Sequence, residues 1–238
     1  MLITPNLDIL PDAQKELWRQ LEDTPSEFVL YGGTAIALRF GHRQSVDFDF
    51  FTTAPVDVKT VSCELPYIKN NPHDRTIRTN QQIDYSIQIG EKTVYVTFMC
   101  NKTIMPGAVN APDEALDTGI KIASPLDLMA CKIMAMHNRS EQKDFIDLGE
   151  LIKNDVNLQK GFEASVALSR LTPQGTTLLK LGNLKADLQA KTLKNMLPDR
   201  PEYVEIIREA ASTLDVAKAM KTTMKANRDN YRSQSPMR

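Results

Sequence analysis

Three cysteines in 238 residues, Cys63, Cys100 and Cys131, are too few and too scattered for a disulfide framework or a zinc site. Their odd number suits a reducing compartment. Histidine is equally scarce. His42, His73 and His137 lie far apart with no metal-ligand spacing, and each is expected to be a surface or hydrogen-bonded polar residue. No apolar run approaches the roughly 18 residues that a spanning helix needs. The opening Met1-Leu2-Ile3-Thr4-Pro5 has no basic segment leading into an apolar core, so the signal-peptide pattern is missing. A cytoplasmic protein without membrane contact is expected. An excess of one charge is lacking too. With 29 basic and 30 acidic residues the net charge is -1, so bulk charge announces no nucleic-acid partner and any such contact must come from a local patch.

What is present is an ordinary globular composition, 42% hydrophobic and 25% charged, with enough length for one large domain or two small ones. Leu10, Ala13, Leu17, Trp18 and Leu21 share a helical face, with Pro11 suited to a first turn. Residues 27–31 read as a short buried strand ended by Gly32-Gly33. Residues 34–40 read as a helix that Gly41 can stop. Residues 46–51 alternate as a strand, and a short helix is expected over 57–65. Strands follow at 75–79, 83–89 and 93–99, the last two joined as a hairpin through Gly90-Glu91-Lys92. Residues 101–119 read as an irregular connection.

From Ser124-Pro125-Leu126-Asp127, a capped start, the pattern turns helical. Helices are expected to about residue 137, from about 141, and over 157–170, 176–197 and 201–228. No internal repeat occurs. The fold class is therefore α+β: a small mixed sheet flanked by helices over residues 1–120, then a helical region over 121–238.

The stretch from Gly32 to Asp49 carries the chemistry. On a strand, residues i and i+2 point to one face, so Asp47 and Asp49 present two carboxylates side by side while Phe48 and Phe50 face the other way. Adjacent carboxylates repel unless a cation lies between them, and hard oxygen ligands suit Mg2+ or Mn2+. Glycines at 32 and 33, at the start of a helix, let the backbone approach a phosphate where the helix end favours an anion. Together these features place a triphosphate between backbone amides and a metal. Asp-x-Asp alone is more often a solvated strand edge, and Gly-Gly alone more often a turn; the ordered combination is what is specific.

Arg43 could meet a phosphate or balance the Asp pair, and Ser45 could bond a carboxylate or the nucleotide. Lys132 is the only charge between Leu128 and Met136. It is either a lysine reaching along the helix surface or a point charge aimed at a phosphate. Lys143 and Asp147, four apart, share a helical face and could form an ion pair.

Residues 28–35 and 41–51, with Lys132, Arg139 and Lys143-Asp144-Phe145-Ile146-Asp147-Leu148, resemble the AbiEii/AbiGii-type nucleotidyltransferase family. That family lies within the DNA polymerase β-like superfamily, and the resemblance covers roughly residues 25–152. It implies a nucleotidyltransferase fold that moves NMP from an NTP to an acceptor hydroxyl on RNA such as tRNA, on protein or on a small molecule. It also implies a toxin accompanied by an antitoxin protein. Asp47, Asp49, Lys132 and Asp147 would carry catalysis, with Asp47 and Asp49 as the metal ligands. Gly32, Gly33, Thr34, Arg43, Ser45 and Lys143 would bind the nucleotide, and Asp147 would orient a lysine or the nucleotide.

One departure stands out. Many superfamily members carry a third carboxylate on a later strand, yet residues 94–99 hold no acid, and Asp84 on the neighbouring strand is the nearest substitute. That gap keeps open a nucleotide- or RNA-binding module whose chemistry has been lost. Lys218, Lys221, Lys225, Arg228 and Arg232 recur at helical spacing, with Asp229 the only acid from Val216 onward. This stripe is either a solvated face or an RNA contact.

Overall fold

A computed structural model of the chain describes residues 1–53, 61, 65–79, 81–100, 109–139, 141–168 and 174–221. The chain forms two compact units, Met1–Leu128 and Met129–Arg238. The boundary between them falls inside a helix.

The strands of the first unit are β1 (Leu2–Ile3), β2 (Val29–Tyr31), β3 (Asp47–Thr52), β4 (His73–Thr79), β5 (Gln82–Ile89), β6 (Lys92–Cys100), β7 (Asp113–Ala115) and β8 (Lys121–Ile122). They lie side by side in the order β1-β7-β8-β2-β3-β6-β5-β4. This mixed sheet is larger than the sequence suggests, because β1, β7 and β8 are two or three residues long and too short to show a period of two. In particular, β7 lies within the stretch read as irregular, where it pairs parallel with β1 and antiparallel with β8. β3 pairs antiparallel with β2 and parallel with β6.

The alternation of β3, β5 and β6 divides the centre of the sheet into an apolar and a polar face. Leu30, Phe48, Phe50, Val96, Phe98, Ile83 and Tyr85 are buried on one side. There Phe50 stacks on Phe98 at 5.4 Å, and Trp18 packs on Phe48 at 6.1 Å. Trp18 closes helix α1 (Asp12–Trp18), where Leu17, Trp18 and the following Leu21 are buried as the spacing predicts. The other face carries Asp47 and Asp49 on β3, Tyr95 and Thr97 on β6, and Asp84 and Ser86 on β5, joined in register across the strands.

Helix α2 (Gly32–Phe40) follows β2 without a loop and ends at Gly41 in the left-handed region, φ 68°. A Cβ there would lie 2.2 Å from Asn6 Nδ2, so only glycine fits this turn. Helix α3 (Pro66–Lys69) is short. Most of the helix expected over 57–65 lies outside the described residues, as does Cys63.

Helix α4 (Pro125–Met136) begins as read: the Asp127 N–H bonds to Ser124 Oγ at 3.1 Å. The helices of the second unit continue with α5 (Gln142–Lys153), α6 (Leu158–Leu168), α7 (Gln174–Gln189), α8 (Leu193–Met196) and α9 (Pro201–Ser212). Two expected long helices are each interrupted. The segment 176–197 breaks after Gln189, and 201–228 breaks at Thr213-Leu214-Asp215 before helix resumes over 216–221. In α5, α9 packs closely where Gly149 faces Tyr203, whose hydroxyl donates to Glu150. A Cβ on Gly149 would lie 2.7 Å from that ring. Among the described residues no helix is long and apolar enough to cross a membrane.

Candidate active site

The acidic strand β3 places Asp47 exposed and Asp49 half-buried on the polar face, with Phe48 and Phe50 fully buried beneath them. Across the β2–β3 pair, Asp49 stands opposite Tyr31, the residue before Gly32. Gly32 has φ +73°, and a Cβ there would lie 2.5 Å from Asp49 Oδ2. The first glycine is therefore required twice, by its backbone conformation and by the carboxylate it accommodates. Tyr31 supplies no side-chain cap to α2, so the first-turn amides at Gly32, Gly33 and Thr34 lie at an end that favours an anion.

The side chain of Thr34 has a structural role. Its hydroxyl is buried and hydrogen-bonded to Ser45 Oγ at 2.7 Å and to the Asp47 carbonyl, so it turns inward rather than toward a phosphate. Ser45 is itself buried. The Thr34–Ser45 pair thus ties the glycine turn to the start of the acidic strand, leaving Thr34 only its backbone amide for a ligand. Gln14 adds to this bracing by donating to the Val46 carbonyl at 3.3 Å. Arg43, between α2 and β3, donates from Nη1 to the Gln44 carbonyl at 2.8 Å.

β6 carries no acid facing this row: Tyr95 and Thr97 stand beside Asp47 and Asp49. Asp84 lies one strand further, in register with Thr97. Its carboxylate accepts from Arg78 Nε at 2.7 Å, Gln82 Nε2 at 2.9 Å and Thr97 Oγ1 at 3.2 Å. Burial opposes its ionisation, but these hydrogen bonds and the Arg78 charge prevail and hold it below the usual carboxylate range. Thr97 is the link the sequence reading missed, since only the strand register shows it standing between Asp49 and Asp84.

Among the described residues no group of three or more His, Cys, Asp or Glu side chains converges on a metal position. A carboxylate pair beside a glycine turn nevertheless fits Mg2+, which takes one or two carboxylates and completes its shell with water and substrate phosphates.

The helical unit holds the later predicted residues. Lys132 on α4 is buried, not at the surface, and its Nζ lies 2.7 Å from Asp147 Oδ2 and 3.0 Å from Asp144 Oδ1. Both carboxylates come from α5 and are fully buried. Asp144 also closes a capping box with Glu141 and lies 3.4 Å from Arg139 Nε. The ion pair of Lys143 lies outside this buried cluster. Half-exposed, Lys143 pairs with Glu141 at 2.9 Å and holds that carboxylate below its ordinary range. Two of the three donors of the Lys132 ammonium are thereby engaged.

A mixed sheet with an acidic strand beside a glycine turn, followed by helices, is the architecture of a nucleotidyltransferase. The sequence profile described as "Nucleotidyl transferase AbiEii toxin, Type IV TA system" matches residues 17–225, and the chain belongs to that family. A curated relative, the uncharacterized protein aq_aa25 of Aquifex aeolicus, is 32% identical over 130 residues, which is 54% of this chain and 59% of the relative. The chain thus spans less than two thirds of that relative's length. Solved structures share the fold at low identity. JHP933 from Helicobacter pylori is 17% identical, with TM-score 0.52 over 94% of this chain and 95% of its own. MenT4, a nucleotidyltransferase toxin of Mycobacterium tuberculosis H37Rv, is 13% identical, with TM-score 0.53 over 89% of this chain and 91% of its own.

Proposed function

We propose that this protein moves a nucleoside monophosphate from an NTP to a hydroxyl of an RNA acceptor such as tRNA, acting as the toxin beside an antitoxin protein. The observation that carries the reading is the fit of Gly32 against Asp49, which sets a helix N-terminus beside a carboxylate pair. Asp47 and Asp49 would hold Mg2+, which when bound neutralises charge on the phosphate oxygens. The amides of Gly32, Gly33 and Thr34 bind the triphosphate. The Thr34–Ser45 pair fixes the strand that presents the carboxylates. Tyr95, 54% exposed beside Asp47, offers a ring on which a base or ribose can rest. The acceptor oxygen bonds to the α-phosphorus, the α–β bridging P–O bond breaks, pyrophosphate departs and the acceptor proton is released. In the helical unit, Asp147 and Asp144 hold Lys132 so that its remaining donor can meet a phosphate. The half-exposed Lys143 and Arg139 supply further positive charge.

A second reading, a nucleotide- or RNA-binding module without turnover, draws on Asp84. That carboxylate is held one strand beyond β6 by Arg78, Gln82 and Thr97. One experiment separates the two. The protein is incubated with each α-labelled NTP, Mg2+ and total cellular RNA. Transfer predicts a labelled RNA with wild type and none with the Asp47→Asn/Asp49→Asn double variant. Intact NTP binding with no labelled product of any kind favours the module.

A further inference from the structure

The helical unit contains a pocket of which the proposed chemistry uses only Arg139, whose Nε also pairs with Asp144 and Glu141. It has a volume of about 270 Å3, and its walls come from the end of α4 and one face of α7. His137, Asn138 and Arg139 contribute from the first side, and Lys180, Asn183 and Asp187 from the second. The α7 residues recur at three- and four-residue intervals, which places them on one helical face.

The polar groups are mixed in a way that narrows the ligand. Lys180 and Arg139 bring two positive charges and Asp187 one negative. A bare anion would meet the carboxylate, and a bare cation would meet the lysine and the arginine. The lining suits a molecule with an anionic group at one end and hydrogen-bond donors at the other. Lys180 Nζ donates to the Asn138 carboxamide oxygen at 3.2 Å and forms no ion pair among the described residues. Asn183 and Asp187 are exposed, and their side chains form no hydrogen bond among the described residues. His137 Nε2 is buried with no hydrogen-bond partner among the described residues. Burial of a polar nitrogen without a partner is costly, and it marks this wall as polar capacity left over by the fold itself.

We infer that the pocket between the end of α4 and the face of α7 binds one nucleoside monophosphate group, with phosphate at Lys180 and Arg139 and an amino-bearing base edge at Asp187 and Asn183. Carboxylates accept from the exocyclic amine of cytosine, and carboxamides pair with adenine. Uracil has no exocyclic amine, so it is disfavoured. The volume, just below the usual range of ligand pockets, suits a single small group such as one nucleotide and not a folded partner. A free nucleotide and the 3′ end of an RNA share this chemistry. Only the assignment to an RNA acceptor rests on the proposed transfer reaction; the pocket itself does not.

The test is carried out on the full chain. The three histidine Cε1–H resonances are assigned by substitution and followed by NMR on adding CMP, UMP or a short RNA ending in cytidine. CMP is expected to shift the His137 signal, UMP to shift it at about tenfold higher concentration, and Lys180→Met or Asp187→Asn to weaken the CMP effect by about tenfold. Lys180 is partly exposed and Asp187 exposed, so both variants should melt like wild type. The same His137 shift must persist in the Asp47→Asn/Asp49→Asn protein. Competition between the RNA and CMP, with the RNA binding more tightly, identifies an RNA terminus as the source. Binding of CMP alone identifies a free nucleotide. If CMP leaves His137 unmoved, or if the acidic-strand variant abolishes the shift, the inference is overturned. If the shift survives while no NTP label reaches any acceptor, the transfer reading fails and the pocket stands.

Discussion

Gly32 and Asp49 are in contact in a way that only glycine permits: a methyl group on residue 32 would sit 2.5 Å from the Asp49 carboxylate oxygen. Gly32→Ala therefore faces two penalties. A left-handed conformation costs an L residue about 1–2 kcal/mol, and the carboxylate must move away. The Asp49 side chain is half-buried and can rotate, so the fold survives while the site does not. The expected result is a melting temperature lowered by a few degrees and NMP transfer lowered by about 100-fold. Transfer at the wild-type level would remove Asp49 from the site.

Lys132 bears on stability beyond its proposed contact with a phosphate. Removing it leaves two fully buried carboxylates, Asp144 and Asp147, without their shared cation. Lys132→Ala should lose about 3–5 kcal/mol, which calorimetric melting would register. A lysine reaching along the helix surface, one of the two readings its sequence context allows, would be lost without harm to the fold; the burial of Lys132 corrects that reading. Lys143→Ala, at an exposed pair with Glu141, should melt like wild type and bind NTP more weakly. Equal melting of the two variants would contradict the buried cluster.

Asp84 is expected to be secondary. It stands one strand beyond β6, with its oxygens engaged by Arg78, Gln82 and Thr97. Asp84→Asn should lower turnover by less than about tenfold, whereas Asp47→Asn should lower it by about 1,000-fold. A loss on Asp84→Asn as deep as that on Asp47→Asn would make it the third carboxylate.

His137 is pushed down to about 4, first by burial and then by the Lys180 charge. Arg139 and Asp187 line the same pocket. The folded state resists protonating this ring and the unfolded chain does not. Its contribution to stability is therefore complete above about pH 6.5 and lost progressively as the pH falls toward 4. His137→Gln should flatten the decline in unfolding free energy across that window. Identical pH profiles from denaturant melts of the two proteins would remove the group from the account.

The basic C-terminal stripe can be tested by salt. Lys218 and Lys221 are exposed, whereas Ala219 and Met220 between them are buried, so a truncation must follow Lys221 to spare the core. Lys225, Arg228 and Arg232 lie outside the described residues. Removal of 222–238 takes away these three cations. It should flatten the dependence of RNA affinity on salt, by a slope of about one per lost phosphate contact, and leave NTP binding unchanged. An unchanged salt slope would return the stripe to a solubilising role.

The central part of the fold is legible in the sequence because its elements are long enough to show a period. β5 and β6 alternate over eight or nine residues, and the Gly-Gly to Asp-x-Asp order fixes which strands surround the site. The short strands β1, β7 and β8 are not legible, because their place comes from pairing partners distant in sequence. Lys132 shows why site roles are harder to read. A single charge on an apolar helix signals either a surface reach or a ligand contact. The third possibility, a cation held by two buried carboxylates of the next helix, depends on a packing that spacing cannot show. His137 was expected to be an ordinary surface or satisfied residue. Its buried nitrogen, without a hydrogen-bond partner among the described residues, lies beside a pocket whose other wall comes from Lys180 to Asp187, more than forty positions away along the chain.

The strand order also sets a schedule for synthesis. Asp47 and Asp49 lie on β3, whose parallel neighbour β6 begins at Lys92, and β2 takes its other neighbour from β8 at Lys121–Ile122. Parallel pairing across such distances forms late, after many residues have been ordered. A ribosome must therefore have passed Cys100 before the carboxylate strand is flanked on both sides, and Ile122 before its neighbour β2 is. Until then, the acidic pair exists as sequence without a site.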